Sequence, residues 1–300
     1  MDKTAYAYLA ECITWLSEGK EEVGQHVNVQ YTKLVSESFY KQFCHKEGSH
    51  TTIRVSSLGK PAVLQSMNVL GYNDVPIDLL SKYRFHMGDT FEAYLIVMMD
   101  WYFRTNYNLK QYAHQAELEF NGITGHIDFV QETPAGAVVI EAKTMNDNYF
   151  QRFTKAPDDN RGYVTQLAIY SHCLGIPAFW VAFNKGTHEL AVVAPEPNVT
   201  EAALIRANKV IPPLKEIRKV EQIWNHFSAP PPVPEIYRKT ETGLYMVPES
   251  MRYSQFSEMF YAIGYGKDNY GRQKRYVVEP YYNDATTATK ILTDMGYSVI

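Results

Sequence analysis

Two carboxylates and one lysine near the middle of the sequence have the types and the spacing of a catalytic metal site. Residues 125–128 read Gly-His-Ile-Asp, and residues 138–143 read Val-Val-Ile-Glu-Ala-Lys. Alternate residues of a β-strand share a face, so Glu141 and Lys143 point to the same side of their strand. Asp128, on the preceding strand, can lie beside Glu141. The two carboxylates then form a pocket of hard oxygen ligands suited to Mg²⁺ or Mn²⁺.

Such a pocket next to an ammonium group suits the hydrolysis of a phosphodiester bond. The reaction needs a nucleophile derived from water, a countercharge for the transition state, and a proton for the leaving oxygen. A divalent ion held by carboxylates supplies the first two. Lys143 would orient or deprotonate the water, or stabilise the developing charge. Taken alone, Glu-x-Lys more often marks an exposed ion pair on a solvated strand face, so the interpretation depends on the neighbouring elements.

The surrounding sequence predicts the elements that would carry these residues. Hydrophobic periodicity indicates a helix from about 78 to 107, strands at 115–120, 124–131 and 137–143, a helix from about 161 to 174, and strands at 178–183 and 189–193. Asn121-Gly122, between the first two strands, is a hairpin signal. The long helix carries Glu92 near its middle. The order is therefore helix, three strands, helix and two strands.

The flanking regions differ from this central part in composition. Helical apolar spacing dominates the start of the chain, a charged helix is predicted over residues 200–227, and the Pro-rich run 229–234 is typical of a stiff linker. We therefore divide the chain into three parts: a helical N-terminal elaboration at 1–80, a core with its following helix at 81–228, and a Pro-linked C-terminal module at 229–300.

Four short motifs occur in a set order on the predicted core elements. They are Gly88-Asp-Thr-Phe-Glu92, Gly125-His-Ile-Asp128, Ile140-Glu-Ala-Lys143 and Tyr163-Val-Thr-Gln166-Leu-Ala-Ile-Tyr170. In this combination the sequence resembles the PD-(D/E)XK nuclease superfamily. Within that superfamily it is similar to the RecB-like branch, which includes CRISPR-associated and phage exonucleases. The resemblance extends over roughly residues 50–260.

The resemblance implies both a fold and a ligand set. The implied fold is a restriction-endonuclease-like α/β core, with a mixed central β-sheet flanked by helices. The implied activity is hydrolysis of DNA that depends on Mg²⁺ or Mn²⁺, with exonuclease favoured over endonuclease through the resemblance alone. It assigns Glu92, Asp128 and Glu141 as metal ligands, the carbonyl of Ala142 as a further ligand, and Lys143 as the catalytic lysine.

Other polar residues near these motifs have less defined roles. Gln166 and Tyr170 are four residues apart and share one helical face. The resemblance gives them a part in positioning the DNA strand or the active-site side chains. His126 shares a strand face with Asp128, and we interpret it as a packing or hydrogen-bonding residue rather than a substrate contact. Glu117 and Glu119, on the preceding strand, are either solvated residues or additional carboxylates near the metal.

The sequence departs from the implied pattern at two points. Many members of the branch carry an iron–sulfur cluster held by one cysteine ahead of the core and three behind it. Residues 55–60 and 251–260 resemble those settings but contain no cysteine, and the three cysteines of the chain are scattered. We therefore predict no iron–sulfur cluster. Glu92 replaces the frequent histidine of the helix motif, as in phage-type exonucleases, and this leaves the number of metals open.

The charge distribution is compatible with an enzyme that acts on nucleic acid. The formal net charge is −4, so the chain lacks the basic composition of a non-specific coat protein. Carboxylates gathered around a metal lower the net charge, while local basic stretches still meet phosphates. The best local candidate for contacts with the DNA backbone is the stretch 267–275, with interleaved tyrosines; a solvated loop is the alternative interpretation.

Expectations about location and partners follow. The chain lacks an apolar run of the roughly 20 residues that a membrane helix needs, and the segment after Met1 does not have the layout of a signal peptide. We expect a cytoplasmic protein, in the host cytoplasm if phage-encoded, that acts on DNA in recombination, repair, or phage genome processing and host DNA degradation. A homo-oligomer and a recombination partner protein are compatible with the resemblance. The rival interpretation is a nucleic-acid-binding adaptor that retains the fold without cutting.

Overall fold

A computed structural model describes most of the chain. The described residues are 3–19, 22–44, 53–72, 79–159 and 161–227, with short segments at 245–246, 262–267, 273–279, 289–290 and 293–294. The chain divides into two compact units, the first formed by residues 1–48, 76–158 and 164–204, and the second by residues 49–75, 159–163 and 205–300. Glu92, Asp128, Glu141, Ala142, Lys143, Gln166 and Tyr170 all belong to the first unit, whereas the stretch 267–275 belongs to the second.

The secondary structure follows the order predicted for the core. The helices are α1 (Ala5–Glu18), α2 (Gln25–Phe39), α3 (Ala62–Val69), α4 (Leu79–Tyr107), α5 (Asp147–Phe153), α6 (Tyr163–Leu174), α7 (Pro197–Glu216) and α8 (Val220–His226). The strands are β1 (Gln111–Phe120), β2 (Ile123–Thr133), β3 (Gly136–Met145), β4 (Ala178–Asn184), β5 (Leu190–Val193), β6 (Tyr245–Met246), β7 (Ala262–Lys267) and β8 (Gln273–Glu279). A π-helical turn at Tyr40–Cys44 follows α2, and a 3-10 turn lies at Val55–Ser57.

The first unit contains a mixed five-stranded sheet in the order β1-β2-β3-β4-β5. Strands β3 and β4 are parallel, and the other neighbours are antiparallel. A parallel pair needs a long connection, and here α5 and α6 lie between the two strands in sequence. The predicted α/β class, with a mixed central sheet flanked by helices, is confirmed.

The β1–β2 hairpin sets the register of the strands that carry the site. Asn121 and Gly122 both have positive φ angles, 50° and 72°. A two-residue turn of this kind follows the right-handed twist of the strands, and Asn-Gly is its preferred sequence. The register then pairs Phe120 with Ile123 and places Glu117 opposite His126.

Helices α1 and α4 bury one face of the sheet. Leu9 of α1 and Leu95 of α4 belong to the same core cluster as Phe129 of β2 and Ile140 of β3, and all four are fully buried. On strand β4, Trp180 is also fully buried and packs edge-on against Phe153 of α5 at 5.0 Å between ring centroids. Because the part of α4 from Phe91 to Phe103 is held by this core, Glu92 has a fixed position beside the strands.

Two features differ from the sequence-based expectation. No helix was predicted between the third strand and the helix from about 161, but this segment contains α5, whose first turn is capped by the Asn146 side chain accepting from the Tyr149 N–H at 2.9 Å. The single helix expected over 200–227 is instead α7 and α8. Pro212 and Pro213 lie inside α7 shortly before its end and remove backbone donors.

The predicted linker and most of the C-terminal module are not among the described residues. This applies to the Pro-rich run 229–234, to the segment 251–260, and to residues 268–272 of the predicted basic patch. The backbone of β7 and β8 forms an antiparallel pair that brings Lys267 opposite Gln273. Within the described ranges, none of the helices is long and apolar enough to cross a membrane.

Candidate active site

Strands β2 and β3 stop pairing where the candidate site begins. Their register runs from Thr133 opposite Gly136 to Phe129 opposite Ile140, and the next position would pair Asp128 with Glu141. Beyond this point, carboxylate side chains rather than backbone carbonyls accept the hydrogen bonds between the two strands. The Ala142 N–H donates to Asp128 Oδ2 at 2.8 Å, and the Asp128 N–H lies 3.4 Å from Glu141 Oε1. The two carboxylates are therefore held side by side across the gap between the strands.

Lys143 completes this cluster from the same strand as Glu141. Its Nζ donates to Glu141 Oε2 at 2.6 Å. The Glu141 side chain is 0% exposed and that of Lys143 is 15% exposed. The charges predicted to share a strand face are thus in direct contact at the edge of a buried pocket. A charge-assisted hydrogen bond of this length is among the stronger polar contacts in proteins.

Burial controls the protonation of both carboxyl groups. Removal from water and, to a smaller extent, the charge of the neighbouring Asp128 raise the pKa of Glu141 to about 7, although Lys143 acts in the opposite direction. Burial likewise raises the pKa of Asp128, against the effects of Lys143 and of the Ala142 N–H. One lysine does not compensate two buried carboxylates, so the pocket has a deficit of positive charge.

Glu92 faces the same pocket from helix α4. Burial raises the pKa of its carboxyl well above the usual range, and the charges of Asp128 and Glu141 raise it further. Its carboxylate accepts a hydrogen bond from the side-chain amide of Gln115 on β1. In the part of the chain that is described, His, Cys, Asp and Glu residues form no group of three arranged to hold a metal ion. The donor chemistry fits a hard divalent ion, with Asp128 and Glu141 adjacent and Glu92 bound to an amide.

Gln115 is a site residue that sequence reasoning missed. It lies on β1 between His114, which pairs with Phe129, and Ala116, which pairs with Ile127, so it is level with Asp128. Its φ is +50°, in the left-handed region. For a residue other than glycine this conformation is unfavourable by about 1–2 kcal/mol. Strained backbone of this kind is concentrated at functional sites. A glutamine within a strand pattern carries no signal for such a conformation.

Asp89 is a second residue that the sequence did not single out. It lies three residues before Glu92 on α4, and its charge raises the pKa of both Glu92 and Asp128. Its Oδ2 accepts hydrogen bonds from Ser38 Oγ at 2.8 Å and from Gln42 Nε2 at 3.0 Å. These bonds join the end of α2 to the part of α4 that approaches the pocket.

Gln166 and Tyr170 form a buried hydrogen-bonded chain behind the pocket. Gln166 Nε2 donates to the Tyr170 hydroxyl at 3.0 Å, and this hydroxyl donates to the carbonyl oxygen of His126 at 2.7 Å. These two hydrogen bonds anchor strand β2 at His126, two residues before Asp128. Of the two predicted roles, the contacts correspond to positioning of the site; contact with DNA stays a prediction.

His126 and Glu117 point away from this arrangement. His126 Nε2 lies 3.6 Å from Glu117 Oε2 across the β1–β2 pair, and both side chains are about half or more exposed. This separation is too long for a hydrogen bond, so the hydrogen-bonding interpretation of the His126 side chain stays a prediction. Glu119 is also exposed, as expected for a solvated strand face. The carboxylates near Asp128 therefore come from α4 and β3, not from these positions of β1.

Comparison with known proteins gives fold-level similarities only. A scan against models of protein families and a search of curated proteins both return no match. Among solved structures, SSO0001 aligns with 65% of this chain and 94% of its own, at 15% identity and a TM-score of 0.35.

Two exonuclease structures also align with the chain. An alkaline exonuclease from Laribacter hongkongensis covers 60% of this chain and 92% of its own, at 9% identity and a TM-score of 0.33. A phage-related exonuclease from Haemophilus somnus covers 54% and 96%, at 14% identity and a TM-score of 0.32. With TM-scores this low, the alignments establish neither a family nor an activity for the chain.

The Tyr170 hydroxyl provides a test of how β2 is held. We expect Tyr170→Phe to lower the free energy of unfolding by about 1–3 kcal/mol, because it leaves the His126 carbonyl and the Gln166 amide without their partner in a buried region. Urea denaturation followed by circular dichroism measures this change. Tyr112→Phe removes the hydroxyl of an exposed tyrosine on β1 and is the control, with a change below about 0.5 kcal/mol. Equal effects of the two substitutions would contradict the proposed support.

The raised pKa of Glu141 predicts how stability depends on pH when no metal is bound. A carboxyl group with a pKa of about 7 in the folded state and 4.5 as its ordinary value keeps its proton longer in the folded chain. Stability is therefore lost as pH rises from about 4.5 to 7. In EDTA, the melting temperature of the wild type should fall across this window more steeply than that of Glu141→Gln. Parallel curves for the two proteins would show that Glu141 titrates normally.

Proposed function

We propose that the protein is a divalent-metal-dependent DNA nuclease, and that it is an exonuclease. The observation that carries this proposal is the meeting of Asp128, Glu141 and Lys143 at the point where β2 and β3 separate. A fully buried carboxylate, Glu141, beside a partly buried one, Asp128, both with raised pKa values and with a lysine in contact with Glu141, is unfavourable for folding alone. Such groups in one pocket are typical of a functional site.

The donor set suits Mg²⁺ or Mn²⁺. Asp128 and Glu141 supply carboxylate oxygens from adjacent strands, and Glu92 and the carbonyl of Ala142 are the further ligands that we propose. A bound ion of this kind supplies an activated water and positive charge for the attacked phosphate. Its charge would also offset the crowding of carboxylates that raises their pKa values. For Glu92 to join the set, its hydrogen bond to Gln115 has to be exchanged or shared.

Lys143 has a position suited to work on the nucleophile. Its ammonium group donates to Glu141 and lies at the solvent-facing side of the pocket, since it keeps some exposure whereas Glu141 has none. From there its ammonium group can orient the attacking water or stabilise charge on the phosphate oxygens. Gln166 and Tyr170 keep β2 in place, so that the Asp128 carboxylate stays aligned with Glu141.

The finer parts of the proposal depend on the motif resemblance. End-dependent cutting, and a role in recombination, repair, or phage genome processing and host DNA degradation, suit an enzyme with this order of motifs. DNA is the proposed partner. A homo-oligomer and a recombination partner protein are further proposals of the same kind, and no contact among the described residues bears on them.

The rival function is a nucleic-acid-binding adaptor that does not cut. An adaptor has no chemical need for Asp128, Glu141 and Lys143 in one buried pocket, and substitution of such groups by apolar residues is often neutral or stabilising. The contact of Lys143 with Glu141 therefore favours the enzyme. Cutting assays distinguish the two functions directly.

We expect Lys143→Ala to reduce DNA cutting by about 100-fold or more, because it removes the charge closest to the proposed nucleophile. The measurement uses end-labelled linear DNA and circular DNA with Mg²⁺, Mn²⁺ or EDTA. The wild type should degrade linear DNA only with metal and leave circular DNA intact. The release of the label gives the direction of cutting.

The matched control is Lys110→Ala, which removes an exposed lysine just ahead of β1, opposite the end of β2 remote from Asp128. It should cut like the wild type and melt at the wild-type temperature. Lys143→Ala leaves the buried Glu141 without this partner and should melt at a lower temperature, so cutting is compared at a temperature where circular dichroism shows every variant folded. DNA binding by the wild type without metal-dependent cutting would favour the adaptor. Cutting by a folded Lys143→Ala variant at the wild-type rate would remove the central residue of the proposal.

A further inference from the structure

Glu92 is held in a different way from the two carboxylates on the strands. Asp128 accepts a hydrogen bond from the backbone of β3, and Glu141 faces the backbone N–H of Asp128 on β2. Glu92 comes from helix α4 instead, and the side-chain amide of Gln115 on β1 donates to its Oε1. The orientation of this carboxylate therefore depends on a side chain outside the proposed ligand set.

The electrostatics of the pocket make such a partner necessary. Burial and the charges of Asp128 and Glu141 raise the pKa of the Glu92 carboxyl, and the hydrogen bond from Gln115 acts against them. The other two carboxylates also repel Glu92, and a glutamate side chain has several rotatable bonds through which it can turn away. The bond from Gln115 thus favours the charged form of Glu92 and restricts its orientation.

The backbone of β1 is distorted at the residue that makes this bond. The φ angle of Gln115 is +50°, whereas a regular strand has negative φ throughout. The pairs on either side are His114 with Phe129 and Ala116 with Ile127, so the distorted residue is level with Asp128. The strained residue of β1 is therefore the one whose side chain reaches α4, 23 positions away in sequence.

The residue type suits the positioning of a ligand. A neutral amide donates to a carboxylate without neutralising its charge, whereas a lysine or arginine would form an ion pair that competes with a bound cation. Gln115 engages Oε1 of Glu92, and a carboxylate that accepts a hydrogen bond on one oxygen can bind an ion through the other. Carboxylate ligands of metals are commonly held in this way by residues that do not touch the ion.

We propose that Gln115 is a positioning residue of the metal site, whose amide holds the Glu92 carboxylate towards Asp128 and Glu141 and leaves one oxygen for the ion. The inference rests on the proposed function, because Glu92 is a metal ligand only in that proposal. Gln115 touches neither the ion nor the DNA and acts through Glu92. The left-handed backbone at Gln115 serves to bring its amide to the helix.

The test measures Mn²⁺ binding by the full chain without DNA, from the electron paramagnetic resonance signal of free Mn²⁺. Gln115→Gly removes the amide and Gln115→Asn shortens its side chain by one methylene, so each should weaken Mn²⁺ binding by about 10- to 100-fold. Glycine and asparagine adopt a left-handed φ more readily than glutamine. The melting temperature in EDTA should therefore not fall, and a general loss of structure would not account for the weaker binding.

A double-mutant cycle shows whether Gln115 acts through Glu92. Glu92→Gln removes the proposed ligand and should itself weaken Mn²⁺ binding. Adding Gln115→Gly to Glu92→Gln should then change the affinity by less than about twofold, because the carboxylate that Gln115 positions is already gone. An equal loss of affinity in both backgrounds would show that Gln115 acts independently of Glu92 and would overturn the proposal.

Gln30→Asn and Asn108→Gly are the matched controls. The first shortens an exposed amide on α2, and the second changes another left-handed residue, with φ of 54°, just after α4. Both should bind Mn²⁺ like the wild type. Unchanged affinity in the Gln115 variants would overturn the proposal. Tighter binding would also overturn it, because the amide would then hold Glu92 away from the ion.

The outcomes for Gln115 and for the nuclease remain separate. Mn²⁺ binding that depends on Gln115, with no cutting of DNA by the wild type, would support the positioning role and reject the nuclease. Metal-dependent cutting of linear DNA, with wild-type Mn²⁺ affinity in the Gln115 variants, would support the nuclease and reject the positioning role. A wild type that binds no Mn²⁺ would overturn the positioning role.

Discussion

The geometry of the candidate site depends on the separation of β2 and β3 after Phe129 and Ile140. Buried backbone groups need partners, and strands that part would leave them unpaired. Here the Asp128 carboxylate accepts from the Ala142 N–H, while Glu141 faces the Asp128 N–H. The same carboxylates that would bind an ion therefore also close the backbone hydrogen bonds at the gap. Structure and chemistry are coupled in these two side chains.

The carboxylates that would bind the ion also destabilise the folded chain. Burial raises the pKa values of Asp128 and Glu141, the charge of Asp89 adds to this effect at Asp128 and that of Asp128 adds to it at Glu141, and Lys143 opposes it at both. Helix α4 contributes two further carboxylates, Glu92 and Asp89, whose charges interact with that of Asp128. The apolar core under α4 holds these groups in place. A cation bound between these carboxylates would offset the repulsion among their charges.

Local patterns predicted the elements and part of the site. Strand alternation placed Glu141 and Lys143 on one face, and the Asn121-Gly122 turn fixed the strand order, because both depend on neighbouring residues. The short helix α5 was missed, since seven residues give little periodicity. The left-handed φ of Gln115 was also beyond prediction, because it is imposed by tertiary contacts. The same is true of the bond from Tyr170 to a carbonyl 44 residues away in sequence.

The left-handed φ of Gln115 also concerns the outer edge of the sheet. Among the described residues, strand β1 pairs with β2 alone, and the backbone of such an edge strand is a template for addition of another chain. The left-handed φ of Gln115 departs from regular β conformation at this edge, and the exposed Glu117 and Glu119 follow it. A second copy that added its own β1 would have to accommodate this residue and would bring like charges together. Both features disfavour the addition of a further strand at this edge.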